Sequence, residues 1–308
     1  KPDEKGARLK NIAQLNYQIK NHAKTISFAQ RYFDEVGQEP YLSALVAQTY
    51  YLQKDYAKAL QMSQELIAAA DRAGTTPDET VLQIALSSAF RLSDGRASKE
   101  ALFRLAELYP APEYWSDLIN LLHGQVGMTE SFSLNVLRLR LAAGQMTDSA
   151  DFSEMAETAL QLGLPGEAQR VLEKGFAAGL LGVGVDAARE KRLLAQARSD
   201  AAVDKATLAS QAAQVTGTAK GDDDIKVGEA YETYGDNEKA LALLTAGLAK
   251  PGLKAPDEAR LTLGRVLLNL GRKPEAENVR RSAHVPPLPS IGAQQAINAL
   301  PWNIGIAL

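Results

Sequence analysis

The chain has 308 residues, a formal net charge of −3, 45% hydrophobic and 23% charged residues, and no cysteine. Disulfide scaffolds, thiolate zinc sites and cysteine nucleophiles are therefore excluded. The short basic clusters, flanked by acids, give no concentrated cationic face for nucleic acid, and no run of about 18 apolar residues offers a membrane span.

Aromatic residues make up only 6% of the chain while Ala and Leu are abundant, which favours helix over sheet. In chain order, Asp3 to Val36 reads as one helix pair, so residues 1–39 form an N-terminal cap. From Pro40 the pattern repeats. The better-formed units are 40–70, 149–179, 221–250 and 257–283, with degenerate units between them. Pro77 to Tyr109 keeps Ala85, Ala97 and Ala101, with a lengthened turn expected at "LSDGRAS". Pro112 to Ala143 and Val185 to Thr216 keep a helix–turn–helix spacing but not the small residues. The array 40–283, with the cap, amounts to about eight pairs. Residues 284–308 are an uncharged tail marked by Pro286, Pro287 and Pro289, which favour an extended path.

The repeat shows when four segments are superposed: "AQTYYLQKDYAKAL" from Ala47, "AETALQLGLPGEAQ" from Ala156, "GEAYETYGDNEKAL" from Gly228 and "GRVLLNLGRKPEAE" from Gly264. Each opens on a small residue and carries another twelve positions later: Ala59, Ala168, Ala240 and Ala276. Paired small residues let two antiparallel helices cross closely. In three segments a glycine stands seven positions in (Gly163, Gly235, Gly271), where a helix C-cap needs positive φ. A fixed period of this length marks a stacked-repeat architecture.

This frame resembles the tetratricopeptide repeat. The resemblance implies an all-α fold, a right-handed α-solenoid of stacked antiparallel helix pairs whose inner helices line a concave groove. Carried onto the matched units, the groove positions give Tyr41, Gln48, Tyr51, Glu157, Gln161, Glu229, Glu232, Arg265 and Asn269 as candidate binding residues, mixed toward the N-terminus and acidic around Glu157, Glu229 and Glu232. The Lys, Asn and Arg with which chaperone-binding members of the family grip a terminal carboxylate are missing.

Other motifs have simpler readings. "GVGVDAARE" from Gly182 fits a dinucleotide fingerprint in letters, but a helical segment precedes it where a strand is required. "GDDDIK" from Gly221 places three acids in a helix first turn, where they meet the macrodipole. "PEYW" reads as a helix start that turns Trp115 into the core. The histidines His22, His123 and His284 are far apart in the repeat frame, and no nucleophile–base pair stands out. The expected function is a non-catalytic scaffold or adaptor that takes a protein or peptide segment in its groove, with no cofactor and no metal. An alternative is a periplasmic arm of a bacterial envelope or polysaccharide-export assembly from which a C-terminal barrel or other domain has been removed, with a cytoplasmic setting as the other option. Lys1 in place of Met and the lack of cysteine make a processed, periplasmic bacterial chain the expected setting. The tail, anchored by Trp302, is expected to be buried against this chain's own repeats or in a neighbouring chain's groove.

Overall fold

The computed structural model describes residues 2–123 and 129–282. All regular structure among the described residues is helical. Six antiparallel pairs recur: α1 (Pro2–Gln18) with α2 (His22–Glu35), α3 (Pro40–Leu52) with α4 (Tyr56–Ala73), α5 (Glu79–Arg91) with α6 (Gly95–Leu108), α9 (Ser149–Gln161) with α10 (Pro165–Ala177), α12 (Gly221–Thr233) with α13 (Asn237–Leu248), and α14 (Pro256–Asn269) with α15 (Lys273–Ser282). Three helices stand outside these pairs: α7 (Pro112–His123), α8 (Glu130–Ala142) and α11 (Ala187–Val215). The chain divides into two compact units between Leu121 and Leu122. Within each unit, neighbouring pairs stack side by side as in a solenoid.

One turn closes all six pairs. Three residues separate the helices, and the middle one takes a left-handed conformation: Lys20, Lys54, Ser93, Gly163, Gly235 and Gly271, with φ between 57° and 77°. Its N–H donates to the carbonyl three residues back. The next N–H reaches back five residues, as from Asp55 to Tyr50 and from Asp236 to Tyr231. This satisfies the carbonyls that a helix end leaves open. Asn21, Asp55, Asp94 and Asp236 then cap the second helix by accepting from its first-turn N–H groups. The turn expected to be lengthened at "LSDGRAS" is therefore corrected: Leu92, Ser93 and Asp94 make the same three-residue turn, because Ser93 adopts the left-handed φ itself.

The small residues stand where the pairs cross. Ala47 and Ala59, Ala156 and Ala168, Ala240 and Ala276 are all fully buried. A Cβ on Gly228 would meet Leu244 Cγ at 3.0 Å. The crossing tightens further at Gly221, where a Cβ would come within 2.5 Å of the Gly247 carbonyl oxygen. Around these crossings lie aliphatic cores, including Leu137, Met155, Val171 and Leu172 in the second unit, and Leu42, Leu45 and Val46 in the first.

A second expectation is also corrected. Val185 to Thr216 is not a helix–turn–helix; Ala187–Val215 is one helix of 29 residues. Its sequence contains neither Gly nor Pro, so nothing supplies the positive φ or the lost donor that would end a helix midway. The loop before it carries the "GVGV" glycines. It follows a helix rather than a strand, and the Gly182 N–H donates to the buried Glu190 carboxylate at 2.6 Å. Trp115 is buried, as its helix-start context suggests. On α7, Tyr114 ties back to α5 by donating to Glu79 at 2.8 Å and accepting from Gln83 at 2.6 Å. No described helix is long and apolar enough to cross a membrane.

Candidate functional site: the inner helix faces of the two units

The shared turn supplies a register for the first helix of every pair. The residue whose carbonyl accepts from the left-handed residue is Tyr17, Tyr51 or Phe90 in the first unit, and Leu160, Glu232 or Leu268 in the second. Three positions earlier, on the same helix face, stand Gln14, Gln48 and Ser87, against Glu157, Glu229 and Arg265. At matched positions the first unit is therefore aromatic and amide-bearing, whereas the second carries charge.

In the first unit this face opens on a cleft of about 890 Å³. Tyr17 and Gln14 come from α1, Tyr41 and Gln48 from α3, and Pro77 from the connection between α4 and α5. The one charged lining residue is Asp78, and its carboxylate is already committed to the α5 cap, accepting from the Thr80 N–H at 2.8 Å. Burial raises the Tyr17 pKa above its usual value, with the neighbouring Tyr41 adding to the shift. Tyr41 itself is 54% exposed, with the Lys10 ammonium 5.1 Å from its ring centroid while Lys10 also bonds Glu39 at 3.0 Å. Along the same register Tyr51 meets Tyr56 edge-on, with centroids 5.4 Å apart. Phe90 is 76% exposed, far more than a ring placed for core packing would be.

In the second unit this chain's own α8 reaches the α14 part of the equivalent face, while Glu157 of α9 stays outside it. The Arg138 guanidinium makes a bidentate pair with Glu167 at 2.7 and 2.5 Å, and Glu167 is only 3% exposed. Arg138 also donates to Asn135 Oδ1 at 2.8 Å. The same amide oxygen accepts from Arg265 at 3.5 Å, and Arg265 grips Glu232 at 3.2 and 3.3 Å. Ser131, one more turn along α8, donates to Glu258. Ser131, Asn135 and Arg138 form a single stripe of α8 laid against α12 and α14. Its apolar residues Leu134 and Leu137 pack into the α9–α10 core.

The electrostatics follow from that burial. Desolvation alone would lower the Arg138 pKa, but Glu167, Glu232 and Glu229 outweigh it and hold the guanidinium firmly charged. For Glu232, burial pushes the pKa up, yet Arg265 and Arg138 pull harder and its pKa falls below the usual value. Glu229 has the opposite balance: burial dominates over Arg138, Arg265 and the Thr262 hydroxyl at 3.2 Å, so its pKa is raised.

The structure thus brings Glu229, Glu232 and Arg265 together, and pairs them within the chain. Tyr41 and Gln48 share the first-unit cleft, with Tyr51 on the same helix. Glu157 lies apart from the buried network and bonds Arg189 at 2.7 Å. Gln161 is exposed, and Asn269 donates to Asn237 at 3.4 Å. Two acids of "GDDDIK" are engaged within the fold, Asp224 buried against Lys250 and Asp222 accepting from the Lys254 N–H at 3.1 Å, while Asp223 is exposed. Trp302 lies outside the described residues.

Sequence reasoning missed Arg138 and Glu167, and it missed Tyr17, Gln14 and Phe90. The signal for the former was present in "SFSLNVLRLRLAA". Phe132, Leu134, Val136, Leu137 and Leu139 fall on more than one face of that helix, which points to burial of the polar residues between them. The latter were hidden because a frame keyed on glycine passes over Lys20 and Ser93.

Closely crossed antiparallel helix pairs, repeated with one turn and one small-residue register, define an all-α helical-repeat fold. Similar solved structures are a tetratricopeptide repeat protein from Parabacteroides merdae and yeast Tom70. The first is 11% identical, with 96% of this chain and 99% of that one covered and a TM-score of 0.37. Tom70 is 12% identical, with 92% and 85% covered and a TM-score of 0.36. A thermophilic tetratricopeptide repeat protein from Thermus thermophilus is 14% identical over 85% of this chain and 99% of that one, with a TM-score of 0.24. No family model and no curated protein matches the chain.

Proposed function

We propose that the chain is a non-catalytic binding scaffold, and that its partner-binding surface is the inner face of the first unit. The observation that carries this reading is the contrast between matched positions. Glu229 accepts from Thr262, Glu232 pairs with Arg265, and Arg265 also reaches Asn135 of α8, whereas Tyr41, Gln14 and Gln48 face an open cleft. Side chains of this kind suit an extended protein segment. Amides bond its backbone, and tyrosines cover its side chains at low entropic cost. No nucleophile–base pair accompanies the cleft among the described residues, which favours binding over chemistry.

A photo-reactive phenylalanine analogue at Gln48, compared with one at the exposed Gln61 of α4, tests the reading. Gln48 is expected to yield cross-links to one discrete peptide segment, and that segment, once purified, to bind the parent chain but not Tyr41→Ala. Identical cross-link profiles at the two sites would overturn it.

A further inference from the structure

We propose that the segment received by the first-unit cleft is the chain's own uncharged stretch, residues 284–308; this rests on the first-unit face being the binding surface. The cleft selects first by charge. Its one charged lining residue is Asp78, with no cation among the lining residues, so an anionic ligand side chain would be desolvated there beside a carboxylate. Nearly a quarter of the whole chain is charged, yet no Asp, Glu, Lys or Arg occurs from Ser282 to Leu308.

Hydrogen-bond stoichiometry selects next. Each proline supplies a carbonyl but no N–H, so "VPPLP" at 285–289 is rich in acceptors and poor in donors. Gln14, Gln18 and Gln48 bring amide donors to the cleft, and Tyr17 and Tyr41 bring hydroxyls. The rings of those tyrosines, with Pro40 and Pro77 beside them, give flat apolar surfaces of the kind against which proline rings pack. Trp302 and the isoleucines further along add apolar area that extends the same match.

The experiment uses the full chain. With the photo-reactive analogue at Gln48, cross-links are expected to fall on peptides from 284–308. Ala44→Glu places a carboxylate on the cleft surface without opening a cavity. It is expected to weaken the docking by at least about tenfold. The readout is a red shift of Trp302 emission and easier acrylamide quenching, with the buried Trp115 as a constant background. Far-UV circular dichroism checks that the fold is kept. Cross-links that form a covalent dimer and fade on dilution place the stretch in a second copy. Concentration-independent cross-links place it in the same chain, and both outcomes support the proposal. Cross-links from Gln48 only to another protein overturn it while sparing the binding face. Cross-links to neither overturn both.

Discussion

The two units repeat one design with opposite answers at two points, the turn and the inner face. In the first unit the left-handed turn residue is Lys20, Lys54 or Ser93; in the second it is Gly163, Gly235 or Gly271. On the inner face, Gln and aromatic residues stand open in the first unit where Glu229, Glu232 and Arg265 are closed by pairing within the chain in the second. A repeat frame thus fixes where a side chain points but not whether it is available. Availability depends on which other groups of the chain engage it.

The largest test of that contrast is Arg138→Ala. It strands Glu167, buried and bidentate, and should destabilise the second unit by about 3–5 kcal/mol in urea unfolding. An Arg138→Met, Glu167→Leu pair should recover most of that loss. If Arg138→Ala unfolds like the parent, α8 is not held by the network. Gly221→Ala comes next. Its methyl must push against the Gly247 carbonyl, at a cost of roughly 1–3 kcal/mol in thermal unfolding.

Glu229→Gln should act with the opposite sign. The folded-state pKa of Glu229 is raised by burial, so its ionised form costs stability, and that cost grows as pH rises above the ordinary value near 4.5. The variant should therefore be more stable than the parent at pH 7, with the gap closing at and below pH 4.5. Glu232 behaves conversely. Its lowered pKa contributes stability that is present above 4.5 and lost as pH falls through the folded value. A Glu229→Gln gap that widens on acidification would contradict the assigned burial.

Exchanging the turn residues should give smaller shifts, on the order of 1 kcal/mol: Gly235→Ala destabilises and Lys54→Gly stabilises, read as changes in Tm. Smallest in stability is Tyr41→Ala, expected within about 0.5 kcal/mol of the parent because the ring is exposed, even as partner binding is lost. A large destabilisation there would mean that Tyr41 is packing rather than recognition.

Much of the fold was legible because its determinants are local. Alanines and glycines at fixed offsets announce a close crossing, and a glycine before Asp or Pro announces the turn. Lys54 and Ser93 escaped because a left-handed residue without glycine leaves no letter to read; only the Asp that follows marks the turn. Tyr41 and Gln48 could be placed on the inner face by spacing alone. The covering of Glu258 and Arg265 by α8 could not, since it depends on Ser131 and Asn135, more than 120 positions away. Pairings of that range leave no periodic trace. The one local hint was the spread of apolar residues over more than one face of α8, between its polar positions.

The unbroken α11 also has a mechanical consequence. At 29 residues it is about 43 Å long, roughly twice the length of the paired helices around it. It is fastened by a thin seam, with Glu190, Ala197, Ala201 and Leu208 as its buried residues. A turn between two short helices is a joint that absorbs displacement, and α11 has none. Packed against α10 at one end and α12 at the other, it runs between the two apolar clusters of the second unit as one continuous helix, with no turn between Glu190 and Leu208.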